Sequence, residues 1–271
     1  MVEVSVIVAA WNAVDTIERC ADSLVNQEDV DVEVIIVNDC STDQTAKKIA
    51  QLTETYPQVI SARMEHNSGP SAARNVGLDL ARGEWVGIVD ADDTIEPNRF
   101  ASLLEAAAEN HADICVDNLN LVQSYSREGK SSVLIKEDQA GHLIHPWSVE
   151  SYTSFNKPYS SPFLIGFLKP LIKTAFLKQR NIKYNADLYN SEDYLLMLEC
   201  IIQGAKIFYV DYPYYNYFVN ASSLSGNFNP EAHQNLIVSE RQLLERFASA
   251  LSDREAKAIE EHIESLELAG V

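Results

Sequence analysis

The chain has 271 residues, 46% of them hydrophobic, with a formal net charge of -19 and a pI near 4.6. This length and apolar content suit one large domain, or a nucleotide-binding core with a small second lobe. The acidity argues against an electrostatic nucleic-acid binder and a polybasic membrane anchor, though not against a phosphate ligand, since a bound divalent cation reverses the local charge. Cys20, Cys40, Cys115 and Cys200 lie far apart without a CxxC pair, so they read as small buried hydrophobes in a cytoplasmic protein rather than as zinc ligands. No basic segment followed by an apolar stretch opens the chain, which argues against a signal peptide. The longest apolar candidate, 162–172, is broken by Lys169 and Pro170 and is too short to span a bilayer.

In chain order, Val4–Val8 is a β-branched run typical of a strand covered on both faces. Val14, Ile17, Ala21, Leu24 and Val25 then mark one face of a helix, and Val32–Val37 repeats the strand signal. Ser41-Thr42-Asp43-Gln44 has capping-box spacing ahead of a helix through Ala46, Ile49 and Leu52. Val59–Met64 reads as a strand, and Ser71–Ala81 as a helix with Gly83 as its stop. Trp85–Val89 is the next strand, Pro97 opens a helix to Asn110, and Ile114–Val122 closes the series. Such alternation predicts βαβ units and a mainly parallel sheet.

The order breaks near Gln123. Residues 123–161 are rich in Ser, Lys, Gly and Tyr and read as a loop or an excursion of the sheet. Helical character returns over 164–203, a tyrosine-rich strand follows at Lys206–Tyr217, and two amphipathic helices, Pro230–Leu251 and Asp253–Leu268, finish the chain.

Four segments carry potential chemistry. Asp90-Ala91-Asp92-Asp93 follows an apolar strand directly, where open α/β sheets bind ligands. Carboxylates so close repel unless a cation lies between them, and Mg²⁺ or Mn²⁺ shared with a diphosphate suits an all-oxygen set. By itself the tetrapeptide is equally compatible with a solvated acidic turn. Asn38-Asp39 stands at the end of another strand, where a carboxylate can accept a pyrimidine N–H or a ribose hydroxyl; Ser41 and Asp43 read as servants of the following helix start. Asn67-Ser68-Gly69-Pro70 leads into a helix whose N-terminus faces an anion, with Arg74 one turn in. Finally, Glu192-Asp193 offers a carboxylate general base, or mere decoration of a helix start.

Together these segments, with Val4–Asn12, resemble the family 2 glycosyltransferases of GT-A fold in order and spacing over residues 3–100, and more loosely from 162 to 226. The resemblance implies a Rossmann-like α/β fold, a mixed, mainly parallel sheet flanked by helices, with a helical C-terminal extension. It divides the chain into a GT-A domain at 1–226 (1–122 nucleotide-binding, 123–226 acceptor-binding) and an extension at 227–271. It implies inverting transfer from a nucleotide-sugar, a UDP-sugar such as UDP-glucose, to a saccharide hydroxyl. Ala9, Trp11 and Asp39 would bind base and ribose, with Arg74, Asp90 and Ala91 also on the nucleotide. Asp92 would hold Mn²⁺ or Mg²⁺ and Asp193 would be the base, with Asn12, Asn67 and Glu192 as secondary candidates.

Two departures stand out: Ala9-Ala10 replaces a common Pro-Thr, and no arginine follows the tyrosine-rich strand, where Asn220-Ala221-Ser222-Ser223-Leu224-Ser225 stands instead. The tyrosine-rich and C-terminal regions also resemble bacterial exopolysaccharide enzymes of the succinoglycan type. That implies a lipid-linked saccharide acceptor and peripheral work at the inner membrane face. The terminal helices interleave Arg with Glu, which favours packing or homodimerisation over membrane binding. Two alternatives stay open. A sugar-phosphate nucleotidyltransferase would need a basic Gly-rich loop that Ala9-Ala10-Trp11-Asn12 does not supply, and a non-catalytic nucleotide-sugar binder would not need both Asp92 and Asp193.

Overall fold

The computed structural model describes residues 2–123, 131–136, 147–158, 165–219 and 229–270. Strand β1 (Val4–Ala10) pairs in parallel with β2 (Val32–Asn38), which pairs in parallel with β3 (Val59–Arg63). On its other side β1 pairs in parallel with β4 (Trp85–Ile88). The β-branched side chains of β1 and β2 are buried on both faces, as the apolar runs demand. Helices α1 (Ile17–Val25), α2 (Thr45–Thr55) and α3 (Gly69–Leu80) cover them. The strand order 3-2-1-4 reverses direction at β1, and a crevice opens beyond the carboxyl ends of β1 and β4.

Beyond β4 come β5 (Thr94–Ile95), α4 (Arg99–Asn110), β6 (Ile114–Gln123), β7 (Ser131–Val133), α5 (Val149–Phe155), a 3-10 turn at Ile165–Phe167 and β8 (Leu171–Lys173). Then follow α6 (Thr174–Arg180), α7 (Glu192–Ile202) and β9 (Ile207–Val219). The full sheet runs β3-β2-β1-β4-β8-β6-β9-β5, with β7 paired to β6. It is mixed and mainly parallel, as the resemblance implies, and continues without a break from the first half of the chain into the second.

Three local expectations are corrected. The predicted capping box does not form: α2 begins at Thr45 with no side-chain cap, and the Ser41 hydroxyl instead accepts the Asn12 N–H at 3.0 Å. Asp43 does serve the helix start, accepting Thr45 N–H at 2.9 Å. The helix expected from Pro97 starts at Arg99, because β5 pairs antiparallel with β9 and the Pro97 carbonyl is taken by Glu28 N–H. The helical stretch expected over 164–203 is interrupted by β8, which inserts antiparallel between β4 and β6 with Leu171 and Ile172 buried in the centre of the sheet. Within the stretch read as a loop or sheet excursion, β7 and α5 are described, while 124–130, 137–146 and 159–161 lie outside the described residues, as do 220–225.

Helices α8 (Pro230–Phe247) and α9 (Asp253–Ala269) form the C-terminal extension. Asn229 caps α8 by accepting Glu231 and Ala232 N–H, and Ser252 with Glu255 closes a capping box on α9. The pair is tied to α7 through a buried network. Tyr194 donates its hydroxyl to Glu240 at 2.9 Å, and His262 Nδ1 lies 2.9 Å from the same carboxylate. Tyr152 of α5 stacks on the Tyr194 ring at 5.3 Å. Among the described residues no helix is long and apolar enough to cross a membrane.

Candidate active site

A cleft of about 790 Å³ opens at the strand-order reversal. Its walls include every residue given a substrate, metal or base role from the sequence: Ala9, Trp11, Asn12, Asp39, Asn67, Arg74, Asp90, Ala91, Asp92, Glu192 and Asp193. Each arrives by a simple route. Ala9 and Trp11 stand at the carboxyl end of β1, Asp39 at that of β2, and Asp90 to Asp92 just past β4. Glu192 and Asp193 occupy the first turn of α7.

At the β1–β2 end, Trp11 is 56% exposed, so its indole face is available to a ligand. Asn12 ties two loops together, accepting Thr42 N–H at 2.9 Å while its own N–H goes to Ser41. The buried Asp39 carboxylate accepts Ser68 N–H and Gly69 N–H, both at 2.8 Å, which docks the start of α3 onto the end of β2. Asn67 reaches the Asp39 carbonyl at 3.3 Å. Gly69 has φ +85°, and a Cβ there would sit 2.5 Å from the Tyr189 ring, so this approach requires glycine. Asn12 and Ser191, two of the six described non-glycine residues with positive φ, line the cleft, and a third, Cys40, directly follows Asp39. Strained backbone of this kind gathers where structure is organised around a site.

At the other end the charges are interlocked. Arg74 is buried and donates to Asp90 at 2.7 Å and to Glu192 at 2.5 Å, with Asp193 at 3.7 Å. It therefore bridges carboxylates of two chain segments more than a hundred residues apart. Lys169, also buried, stands 2.8 Å from Asp90 and 2.6 Å from Asp193. Tyr184 donates its hydroxyl to Asp193 at 2.9 Å. Burial disfavours the charged form of Asp90, but Lys169 and Arg74 outweigh it and hold this carboxyl well below the usual range. The same balance, burial against Arg74 and Lys169, leaves Asp193 below its ordinary value. Burial also opposes the charge on Lys169, and Asp193 and Asp90 reverse that, raising its pKa.

The acidic tetrapeptide divides its work. Asp90, Ala91 and Asp92 line the cleft, whereas Asp93 is buried, accepting from the Tyr215 hydroxyl and from Phe218 N–H, both at 2.8 Å. Burial and the neighbouring Asp90 and Asp92 charges push the Asp93 carboxyl up. The Tyr215 hydroxyl also accepts the Asp90 N–H at 3.0 Å, so β9 buttresses the turn. Arg19 donates to the Asp92 carbonyl at 2.5 Å and lies 3.7 Å over the Phe218 ring. Among the described residues, no three or more His, Cys, Asp or Glu side chains form a closed metal cage.

Sequence reasoning passed over Lys169, Tyr184, Tyr215 and Arg19. Lys169 carried a usable signal: a lone charge inside an apolar run is buried only with a partner, so its presence calls for a nearby carboxylate. The tyrosines carried none, because only the tertiary structure brings them to the acids.

Residues 5–178 match the family model described as Glycosyl transferase family 2. The chain belongs to that family. Among curated relatives, the succinoglycan biosynthesis protein ExoO of Rhizobium meliloti (strain 1021) is 31% identical over 246 residues, covering 91% of this chain and 69% of the relative. ExoU of the same organism is 30% identical over 263 residues, covering 96% and 74%. These matches show a family 2 glycosyltransferase and lend no support to the nucleotidyltransferase alternative. S. aureus TarS 1–349, solved with UDP-GlcNAc, superposes on 97% of this chain and 72% of its own at a TM-score of 0.75 and 22% identity. The mannosyltransferase PcManGT from Pyrobaculum calidifontis, solved with GDP-Man and Mn²⁺, gives 0.64 at 18% identity over 98% and 73%. Both show that this glycosyltransferase chain has the GT-A fold.

Proposed function

We propose that this glycosyltransferase transfers a sugar with inversion from a UDP-sugar to a saccharide hydroxyl, using Asp193 as general base. The observation that carries the reading is the position of Asp193: a carboxylate held ionised by Lys169 and Arg74, in the same cleft as Trp11, Asp39 and Asp92.

In this reading Trp11 stacks on the base. Asp39, which spends one lone pair of each carboxylate oxygen on α3, keeps acceptor capacity for the ring N–H or a ribose hydroxyl. Ala9 and Ala91 border the nucleotide with small side chains. Arg74 serves the donor indirectly, fixing Asp90 and Glu192 rather than standing free for a phosphate. Mg²⁺ and Mn²⁺ are held by one or two carboxylates together with substrate phosphates and water, so a half-buried Asp92 on the cleft wall fits without a protein cage. When bound there, the cation neutralises charge on the departing diphosphate. Asp193 takes the proton from the acceptor hydroxyl, and attack from the face opposite the diphosphate inverts the anomeric centre without an enzyme nucleophile.

The solved neighbours that hold UDP-GlcNAc, and GDP-Man with Mn²⁺, support a nucleotide-sugar donor and a cation. The succinoglycan relatives support a role in exopolysaccharide synthesis. Repeat-unit growth on a lipid-linked acceptor, by a protein in the cytoplasm or peripheral at the inner membrane face, belongs to the proposal. The division into 1–226 and 227–271 belongs to the same proposal, as does a homodimer through the terminal helices.

Calorimetric titration with UDP, with and without Mn²⁺, tests the donor site. Binding should need the cation and fail in Asp92→Ala. Asp193→Asn should bind UDP as wild type while its turnover falls about 10²–10⁴-fold. Lost UDP binding in Asp193→Asn overturns its role as base, and UDP binding without any turnover of a UDP-sugar by wild type leaves a non-catalytic binder.

A further inference from the structure

The cleft does not end at Asp193. Past α7 it continues between the turn at Ile165–Phe167 and the inward stripes of α8 and α9. His233 and Leu236 lie three apart on α8, and His262, Leu266 and Ala269 lie at i, i+4 and i+7 on α9, so each set faces one way. This far wall lies beyond residue 178, where the family match stops.

The geometry points to this arm as the binding site of the acceptor saccharide, with Phe167, Leu236, Leu266 and Ala269 deciding which saccharides enter. The inference rests on Asp193 as the base. A base that deprotonates the acceptor must reach both substrates: Asp193 shares Lys169 and Arg74 with Asp90 of the acidic turn, while the next residue, Tyr194, is bonded to Glu240 of α8. The arm's chemistry suits a pyranose, which offers an apolar C–H face and a rim of hydroxyls. Phe167 provides an aromatic face, Leu236, Leu266 and Ala269 an apolar wall, and His233 and Asn156 polar edges.

The wall is registered to the base as well as adjacent to it. Tyr194 directly follows Asp193, and its hydroxyl is held by the fully buried Glu240 of α8, which also holds His262 of α9. His262 Nε2 in turn lies 3.2 Å from the Asn156 carbonyl. His233 Nε2 lies 2.8 Å from the Leu266 carbonyl, locking the two helices together at the rim of the arm. A saccharide seated on α8 and α9 is thereby set at a fixed distance from the Asp193 carboxylate, which is how one hydroxyl of many is chosen.

A glycan array probed with the full chain, loaded with UDP, tests the site. Wild type should retain a defined subset of saccharides. Ala269→Trp, which fills the arm from the half-buried end of α9, and Phe167→Ala, which removes an aromatic face, should each weaken that retention about tenfold or more. Their UDP affinity by calorimetry should equal that of wild type. An unchanged array profile in both variants overturns the inference, and so does a wild type that binds UDP but retains no saccharide. Failure to bind UDP is a different result: it removes the donor reading and this inference with it.

Discussion

Two buried ionic clusters sit within one sheet, and they do different work. Arg99 and Asp117 are both 0% exposed; Arg99 Nη2 donates to Asp117 at 2.7 Å and to the Lys169 carbonyl at 2.7 Å. That cluster is closed, enclosed by α4, β6 and the Lys169 segment. The second, Arg74 and Lys169 with Asp90, Glu192 and Asp193, uses the same chemistry but lines the cleft. The closed pair fixes the backbone from which Lys169 projects, and the open set places charge where a substrate arrives. Burial of an ion pair therefore says little about function until one asks what its far side faces.

The largest effect should come from breaking the closed pair. Asp117→Leu leaves a buried guanidinium without its carboxylate and should cost about 3–5 kcal/mol, read as a lower urea midpoint. Adding Arg99→Met should restore much of that loss; a double variant as unstable as the single would mean that the pair is not the source of the effect.

Lys169→Met should cost less stability, since the open cluster keeps Arg74 and borders the cleft, but it should change the pH dependence of activity. Lys169 and Arg74 together lower the Asp193 carboxyl, so removing one cation raises it, and the acid limb of kcat/KM moves to higher pH. The stability contribution follows the same sign. A depressed carboxyl stabilises the fold above the ordinary carboxylate pKa of about 4 and loses that contribution as pH falls through its folded value. The variant should thus show a shallower loss of stability on acidification, and an acid limb identical to wild type would remove Lys169 from this role.

The smallest effect sharpens the contrast from outside both clusters. Trp11→Ala removes an exposed indole, so the melting temperature should hold while UDP affinity drops by about 1–3 kcal/mol, the usual worth of a base stacked on an aromatic ring. A melting temperature that falls with the affinity would mark Trp11 as packing.

The donor end of the cleft was legible because its residues are strand ends. A β-branched run such as Val4–Val8 or Val32–Val37 announces a buried strand, and the next residues, Trp11 and Asp39, must emerge at one sheet edge. The Asp90–Asp92 turn follows by the same rule after Trp85–Val89. Local hydrogen-bond traffic was less legible. The capping box at Ser41 has the correct spacing but loses its hydroxyl to Asn12, twenty-nine residues away in the chain.

What the sequence determined by itself was the order of elements in the first half, the fold class and the carboxylates at its strand ends, because short-range periodicity and chain direction settle those. Only the tertiary structure decided the base's surroundings. Lys169, Tyr184 and Arg74 meet Asp193 from three separate segments, and β8, three residues long, finds its place only because a gap between β4 and β6 must be filled by buried apolar side chains. The C-terminal helices likewise show an amphipathic pattern that says they pack, while the partner they pack on is set by one buried carboxylate, Glu240, that needs both Tyr194 and His262 to be tolerated in the core.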